Sequence, residues 1–136
     1  MTQMTGGCAC RAVRYEIRAE PIRMLKCHCR DCQRATGSAY AALMVVPKEA
    51  FRPEGELRYH ELIGGSGMPI SRGFCPQCGS PIAVKLAAAP EVVVIQAASL
   101  DDPSQFAPTY ELFTSCAQPW DLMLPDTEKF SRSRSG

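Results

Sequence analysis

The feature that most constrains this 136-residue chain is its cysteine pattern, since seven of its eight cysteines lie in three short clusters. The clusters read CAC at Cys8 and Cys10, CHCRDC at Cys27, Cys29 and Cys32, and CPQC at Cys75 and Cys78. Thiolates this close together, repeated at distant points of a chain, are typical ligands of zinc. Four thiolates close a structural site, whereas three leave one coordination position for water or substrate. The division of seven sulfurs into four and three is the first indication of an enzyme.

A disulfide framework is the alternative interpretation, because eight cysteines can pair completely in a secreted protein. However, the first residues, MTQMTGGCACRAVRYEI, contain no apolar stretch of a signal peptide. A CxC pair also spaces its sulfurs poorly for a local bridge. In a reducing compartment such clusters are more often metal-binding or catalytic. We therefore expect a cytoplasmic metalloprotein.

Length and charge exclude several other classes of protein. The chain fits one domain, predicted over 1–130, with the tail SRSRSG at 131–136 expected to be disordered. Its 15 basic and 14 acidic residues give a net charge of +1, so no nucleic-acid partner is expected. No apolar run approaches the roughly 20 residues of a membrane-spanning helix, so no membrane association is expected either.

The hydrophobic pattern predicts an all-β or β-dominated fold. Alternating or continuously apolar, β-branched segments occupy 10–17, 39–46, 55–62, 81–87 and 91–98. Between them, GGSGM at 64–68 is expected to be a flexible connection. A short helix is predicted to follow Cys29 and to end after Thr36, where Gly37 suits a C-cap. A further helical turn is predicted at Asp101-Asp102-Pro103, since an Asp cap precedes a proline there.

The spacing alone leaves the grouping of the cysteines open. Cys29 and Cys32 could join the CPQC pair as a zinc ribbon, leaving the CAC pair and Cys27 as the open triad. Alternatively, the CAC and CPQC pairs close one site and leave Cys27, Cys29 and Cys32 as a contiguous triad. The CPQCGS motif has the form of a zinc knuckle in either case. Residues two apart in an extended segment face the same way, so His28 is expected to point away from its neighbours' metal and to form a hydrogen bond nearby.

Three motifs and two late residue pairs, in order and spacing, identify a resemblance that covers about Gly6 to Pro125. GGCACRAVRYEI, CHCRDCQRATGSAY, SRGFCPQCGSPI and the late Pro119-Trp120 and Leu124-Pro125 pairs resemble the glutathione-dependent formaldehyde-activating enzyme family, with its centromere-protein-V-like members. The resemblance implies the Mss4-like fold, a set of coiled β-sheets stapled by zinc. It also implies that Cys8, Cys10, Cys75 and Cys78 bind a structural zinc ion, and that Cys27, Cys29 and Cys32 bind a catalytic one.

The resemblance implies an activity as well. The reaction that names the family joins formaldehyde and glutathione into S-(hydroxymethyl)glutathione, and its reverse is a carbon–sulfur lyase reaction. The expected partners are a glutathione-like thiol and an aldehyde, with a homodimer as the candidate assembly. Glutathione carries two carboxylates, so cations near the triad are candidate contacts. Arg30 and Arg34 flank Cys32, Gln33 matches the family motif, and Arg72 precedes the knuckle; Arg30, Gln33 and Arg34 are the predicted substrate-binding residues.

Near its end the chain departs from the family pattern, because YELFTSCAQPW lacks the histidine and basic residue that many relatives carry there. Cys116 in this stretch is expected to be a small buried hydrophobe, with a fourth triad ligand as the alternative. Trp120 is expected in the core. Two non-enzymatic interpretations stay open: a zinc-stabilised module that binds a protein partner, and a thiol redox sensor whose triad releases zinc on oxidation.

Overall fold

The computed structural model describes residues 3–135, which form two β-sheets and one α-helix. The strands are β1 (Met4–Gly7), β2 (Arg14–Ile17), β3 (Arg23–Cys27), β4 (Ala41–Pro47), β5 (Phe51–Glu54), β6 (Arg58–Ile63), β7 (Pro69–Phe74), β8 (Pro81–Leu86), β9 (Val92–Gln96), β10 (Tyr110–Leu112) and β11 (Glu128–Lys129). Helix α1 spans Arg30–Thr36. Short 3-10 turns cover Lys48–Ala50, Ala97–Ser99, Pro103–Gln105 and Thr114–Cys116. The prediction of a β-dominated fold is confirmed.

The two sheets differ in size and in strand direction. The smaller sheet has the order β1-β2-β5 and is antiparallel throughout. The larger has the order β11-β10-β3-β4-β9-β8-β7-β6. Its pairs are antiparallel except at one edge, where β10 runs parallel to both β3 and β11. Late residues of the chain are therefore brought beside β3, the strand that ends in the CHCRDC motif.

Each face of the larger sheet supports its own cluster of apolar side chains. Met44 and Val46 of β4 pack with the small sheet, whereas Val45 between them packs on the opposite face. This split follows from the alternation of side chains along a strand. The first cluster includes Cys8 and Cys75, and the second includes Cys27 and Cys32. The sheet thus separates the two groups of cysteines.

Helix α1 begins and ends as the sequence predicts. The sulfur of Cys29 accepts a hydrogen bond from the backbone amide of Cys32 and caps the first turn. Gly37 has a φ of 72° and donates its amide to the carbonyl of Gln33. A left-handed residue at this position favours glycine, because a Cβ atom there is strained. The helical turn predicted after Asp102 is also present, as a 3-10 turn capped by that side chain.

The segment at 64–68 is a hairpin turn between β6 and β7, with hydrogen bonds from the Gly64 amide to the Met68 carbonyl and from the Gly67 amide to the Gly64 carbonyl, and its flexibility stays a prediction. One expectation needs correction. Trp120 is not in the core, since it is 72% exposed, and Leu122 beside it is 90% exposed. The proline-rich stretch around Trp120 forms no strand and passes over the surface, so its apolar residues have no sheet face to cover.

The residues after 130 are described up to Arg134 and Ser135, and several of them contact the body of the protein. Backbone amides of Phe113 and Ser115 donate to the carbonyls of Arg132 and Ser131. The guanidinium of Arg134 lies 5.2 Å from the ring centre of Tyr110. Gly136 lies outside the described residues, and the domain boundary at 130 stays a prediction. The described residues include no helix that is both long and apolar enough to cross a membrane.

Candidate metal centres

The CAC and CPQC motifs meet in space. The four sulfur atoms of Cys8, Cys10, Cys75 and Cys78 all lie within 4.8 Å of one another. The Cys10 sulfur is 3.6 Å from that of Cys8 and 3.8 Å from that of Cys75. A tetrahedral zinc ion with bonds of about 2.3 Å separates its sulfurs by about 3.8 Å. The four-cysteine group therefore fits zinc both in chemistry and in size.

Backbone turns aim these sulfurs at one another. The amide of Gly79 donates to the Cys75 carbonyl at 2.8 Å, and Gly79 has a φ of 81°, so the CPQC segment closes as a knuckle. The Cys8 sulfur accepts the Val13 amide at 3.2 Å. Residues 9 and 10 form a turn, which replaces the extended CAC segment expected from the sequence. The Ala9 amide on the Ser80 hydroxyl, at 3.0 Å, ties this turn to the knuckle.

The second group consists of the triad sulfurs of Cys27, Cys29 and Cys32, again within 4.8 Å of one another. Cys27 ends β3, Cys29 caps α1, and Cys32 lies in the first turn of the helix, so one strand-to-helix junction carries all three. Cys27 and Cys32 are buried, whereas Cys29 is half-buried. Of the two divisions that the spacing allows, the fold forms the one with a contiguous triad.

The three triad thiols perturb one another strongly. Hydrogen bonds from Cys27 and then Cys32 lower the pKa of Cys29, and the charge of Arg72 lowers it further, against a rise from burial. The hydrogen bond to Cys29 raises the pKa of Cys27 in turn. Like charges this close disfavour a second thiolate. Three thiolates at this point therefore require a cation among them, which is what a metal ion supplies.

The predicted substrate-binding residues occupy different environments. Arg30 and Arg34 are exposed on α1, and the Arg30 guanidinium donates to the Gln33 side chain. Gln33 is only 5% exposed. Its amide nitrogen donates to the His28 carbonyl at 2.6 Å and to the Cys116 carbonyl at 3.0 Å, while its oxygen accepts from Gln118 at 3.0 Å. The side chain of Gln33 is thus engaged in joining α1 to the late segment of the chain.

The sequence analysis did not identify Glu111 as the hydrogen-bond partner of His28. His28 and Glu111 are both 0% exposed, and His28 Nε2 lies 2.7 Å from a Glu111 carboxylate oxygen. Burial alone would raise the pKa of Glu111, but hydrogen bonds from Thr127 and His28, with the charge of Lys26, lower it overall. An acidic residue in the apolar context YELF was the available signal. The expectation of a hydrogen-bonded His28 outside the triad's ligand set agrees with this geometry.

Neither Cys116 nor the cleft beside the four-cysteine group contributes a sulfur to the triad. Among the described residues, the Cys116 sulfur is not part of the three-sulfur group, although its carbonyl contacts Gln33. A cleft of about 670 Å³ lies on the side of the four-cysteine group, lined by Cys8, Thr36 and Tyr40 among others. The cleft does not include the triad cysteines, and Arg14 in its wall is already paired with Asp101.

Comparison with known proteins agrees with this architecture. Residues 3–116 match the family model of the glutathione-dependent formaldehyde-activating enzyme. The crystal structure of a Rhodobacter sphaeroides protein, solved as a structural genomics target, is similar with a TM-score of 0.60 at 21% identity. The match covers 93% of this chain and 99% of that one. No curated protein matches the chain.

Replacing Gln33 should destabilise the protein, whereas replacing its exposed neighbour on the same helix should not. Gln33→Ala leaves the carbonyls of His28 and Cys116 without their donor, which should lower the free energy of unfolding by about 2–4 kcal/mol. Arg34→Ala, the control, should change it by less than about 0.5 kcal/mol. Urea denaturation measures both, and equal effects would show that the Gln33 contacts contribute nothing of their own.

Proposed function

Because the chain belongs to the glutathione-dependent formaldehyde-activating enzyme family, we propose that it is a zinc enzyme that makes or breaks a carbon–sulfur bond in a thiol–aldehyde adduct. The observation that carries the proposal is the triad. Among the described residues, no fourth histidine, cysteine or acidic ligand atom lies within 4.8 Å of all three sulfurs. Three protein ligands and an open position are typical of catalytic zinc.

The two cysteine groups have different roles in this proposal. Cys8, Cys10, Cys75 and Cys78 would hold a structural zinc ion, and Cys27, Cys29 and Cys32 a catalytic one. A zinc ion held by three thiolates supplies a Lewis acid with one exchangeable position, where a thiol becomes thiolate or a carbonyl is polarised. Since all seven ligands must stay reduced, we propose the cytoplasm as the location.

The chemistry is a simple addition and its reverse. In the forward direction a bond forms between the thiol sulfur and the aldehyde carbon, and the thiol proton moves to the carbonyl oxygen. In the reverse direction the hydroxyl proton returns and the carbon–sulfur bond breaks. The half-buried Cys29 marks the side of the triad that solvent reaches, whereas the burial of Cys27 and Cys32 keeps water from the other sides.

Arg72 is the cation best placed to bind a substrate carboxylate. It lies opposite Val84 in the β7–β8 pair, and Val84 packs in the same cluster as Cys27 and Cys32, so Arg72 faces the triad side of the sheet. It is half-buried, and its charge favours the thiolate forms of Cys29 and Cys32, but among the described residues its guanidinium has no hydrogen bond or ion pair. A partly buried guanidinium whose hydrogen-bond donors are unpaired favours a ligand that brings a carboxylate to the triad.

A second candidate function is a non-catalytic zinc-stabilised module that binds another protein. One observation favours it: Trp120 and Leu122 lie exposed on the surface, together with Met123 and Leu124. Exposed apolar clusters often mark protein contacts. In that case neither zinc ion would exchange readily, and thiol–aldehyde chemistry would not be accelerated.

The metal roles predict two different cysteine phenotypes. Cys75→Ser should prevent folding, because the free energy of binding at the four-cysteine group contributes to folding itself. Cys32→Ser should give a folded protein with about one zinc ion fewer per chain. Elemental analysis and circular dichroism measure the two outcomes. If Cys32→Ser unfolds the protein as completely as Cys75→Ser does, both metals are structural.

The activity itself can be measured at equilibrium. NMR exchange spectroscopy follows the interconversion of glutathione and its formaldehyde adduct, which also proceeds without an enzyme. Zinc-loaded protein should accelerate the exchange, and Cys29→Ser should return it to the uncatalysed rate. Cys116→Ser is the matched control, since its sulfur lies outside the triad and its loss should leave the rate unchanged. If the zinc-loaded wild-type protein does not accelerate the exchange, the proposed enzymatic activity toward this adduct is excluded.

Replacement of Arg72 should slow the reaction of a thiol that carries carboxylates and leave the reaction of an uncharged thiol unchanged. Arg72→Gln should lower kcat/KM about 10- to 100-fold for glutathione, because a charge-assisted hydrogen bond to carboxylate is lost. The same variant should leave exchange with 2-mercaptoethanol nearly unchanged. Arg58→Gln, on the exposed part of β6, is the control. An equal loss with both thiols would mean that Arg72 acts on the charge of the metal site and not on the substrate.

A further inference from the structure

His28, the residue between two triad cysteines, is anchored on the side of the strand away from the triad. Cys27 is opposite Leu112 in the β3–β10 pair, whereas Lys26 is opposite Glu111. Because side chains alternate along strands, Lys26 and Glu111 share the face opposite Cys27. His28 continues this alternation, and its ring meets Glu111 at 2.7 Å. The imidazole and the neighbouring sulfurs therefore leave the chain in opposite directions.

Three separate contacts hold His28. Its amide donates to the Leu112 carbonyl at 3.0 Å, and its carbonyl accepts from Gln33 at 2.6 Å. Its ring packs against that of Tyr40 and forms a hydrogen bond through Nε2 only, since Nδ1 is buried and has no hydrogen-bond partner among the described residues. The pair with Glu111 is therefore the polar contact that sets the orientation of the ring.

Glu111 is in turn held from a third segment of the chain. The Thr127 hydroxyl donates to its second carboxylate oxygen, and Lys129 Nζ lies 3.7 Å from that oxygen. Lys26 is 5% exposed and places its ammonium 3.8 Å from the centre of the Tyr40 ring. This concentration of buried charge has a desolvation cost that an apolar pair of equal volume avoids. Stability alone is thus a poor reason for its presence beside the triad.

We propose that His28 and Glu111 are positioning residues for the triad metal, an inference that rests on the proposed function only in requiring that the triad bind zinc. Glu111 binds the His28 ring on the side of the strand away from the triad. This contact fixes the backbone of His28, so that the sulfurs of Cys27 and Cys29 stay directed at one point. Neither residue is a ligand, since no nitrogen of His28 belongs to the three-sulfur group. Partners of this kind typically change metal affinity 10- to 100-fold when they are replaced.

Zinc release from each site tests the proposal. Glu111→Gln keeps the shape and one hydrogen bond of the carboxylate but removes its charge. In the zinc-loaded variant, transfer of zinc from the triad to a chromogenic chelator should be about 10- to 100-fold faster than in the wild-type protein. Release from the four-cysteine group should be unchanged. Glu61→Gln, the same substitution at an exposed strand position, should leave both rates unchanged.

The possible outcomes separate the positioning role from others. Equal acceleration at both sites with a lower melting temperature would show a merely structural pair, and unchanged rates would refute the proposal. A wild-type protein that binds zinc only at the four-cysteine group would overturn it as well. If the wild-type triad binds zinc but thiol exchange is not accelerated, the proposed function fails while the release rates still decide this inference.

A second variant, Thr127→Val, tests the same inference if Glu111→Gln does not fold. Thr127→Val removes the hydroxyl that holds Glu111 from a half-buried position, where the substitution keeps the side-chain volume. It should accelerate zinc release from the triad by a smaller factor than Glu111→Gln, again without effect on the four-cysteine group. Release at the wild-type rate in Thr127→Val, if Glu111→Gln cannot be folded, would count against the proposal.

Discussion

The approach of four sulfur atoms from two distant turns is the constraint on which the rest of the molecule depends. Cys8 and Cys10 enter from the small sheet, and Cys75 and Cys78 from the large one. Thiolates at this separation repel one another unless a cation lies between them, so the group could hold a metal ion, which would then link the two sheets. For a chain of this length, such a link supplements a modest apolar core.

The larger sheet then allows one protein to hold two unlike cysteine groups. Alternating side chains give its two faces separate apolar clusters, one packed with the four-cysteine group and the other with the triad. In the four-cysteine group Cys8 and Cys75 are buried but Cys10 and Cys78 are exposed. The triad lies at a strand-to-helix junction with Cys27 and Cys32 buried and Cys29 half-buried. The number of sulfurs, not their exposure, distinguishes the two groups, since four can complete a tetrahedral site whereas three leave one position for another ligand.

Short-range sequence signals predicted much of the fold. The alternation at Val13, Tyr15 and Ile17 predicted β2, and Gly37 predicted the C-terminal end of α1, because these signals involve residues close in the chain. The segment at 64–68 was not identified as a hairpin turn, and the exposure of Trp120 was not predicted correctly. A glycine-rich segment suits a tight turn as well as a loose linker, and an aromatic residue shows no burial without knowledge of the surface above it.

By itself, the sequence determined the chemistry available: seven clustered thiols, their spacing and the family to which they belong. The spacing of the cysteines left two groupings open, and the tertiary structure forms the one that the family resemblance implies, because the strand order determines which sulfurs meet. The same holds for Glu111 behind His28 and for Arg72 on the triad face, which reach their places through β10 and β7. Contacts between residues far apart in the chain depend on which strands lie side by side, and a motif of a few neighbouring residues does not show which distant strand will pair with it.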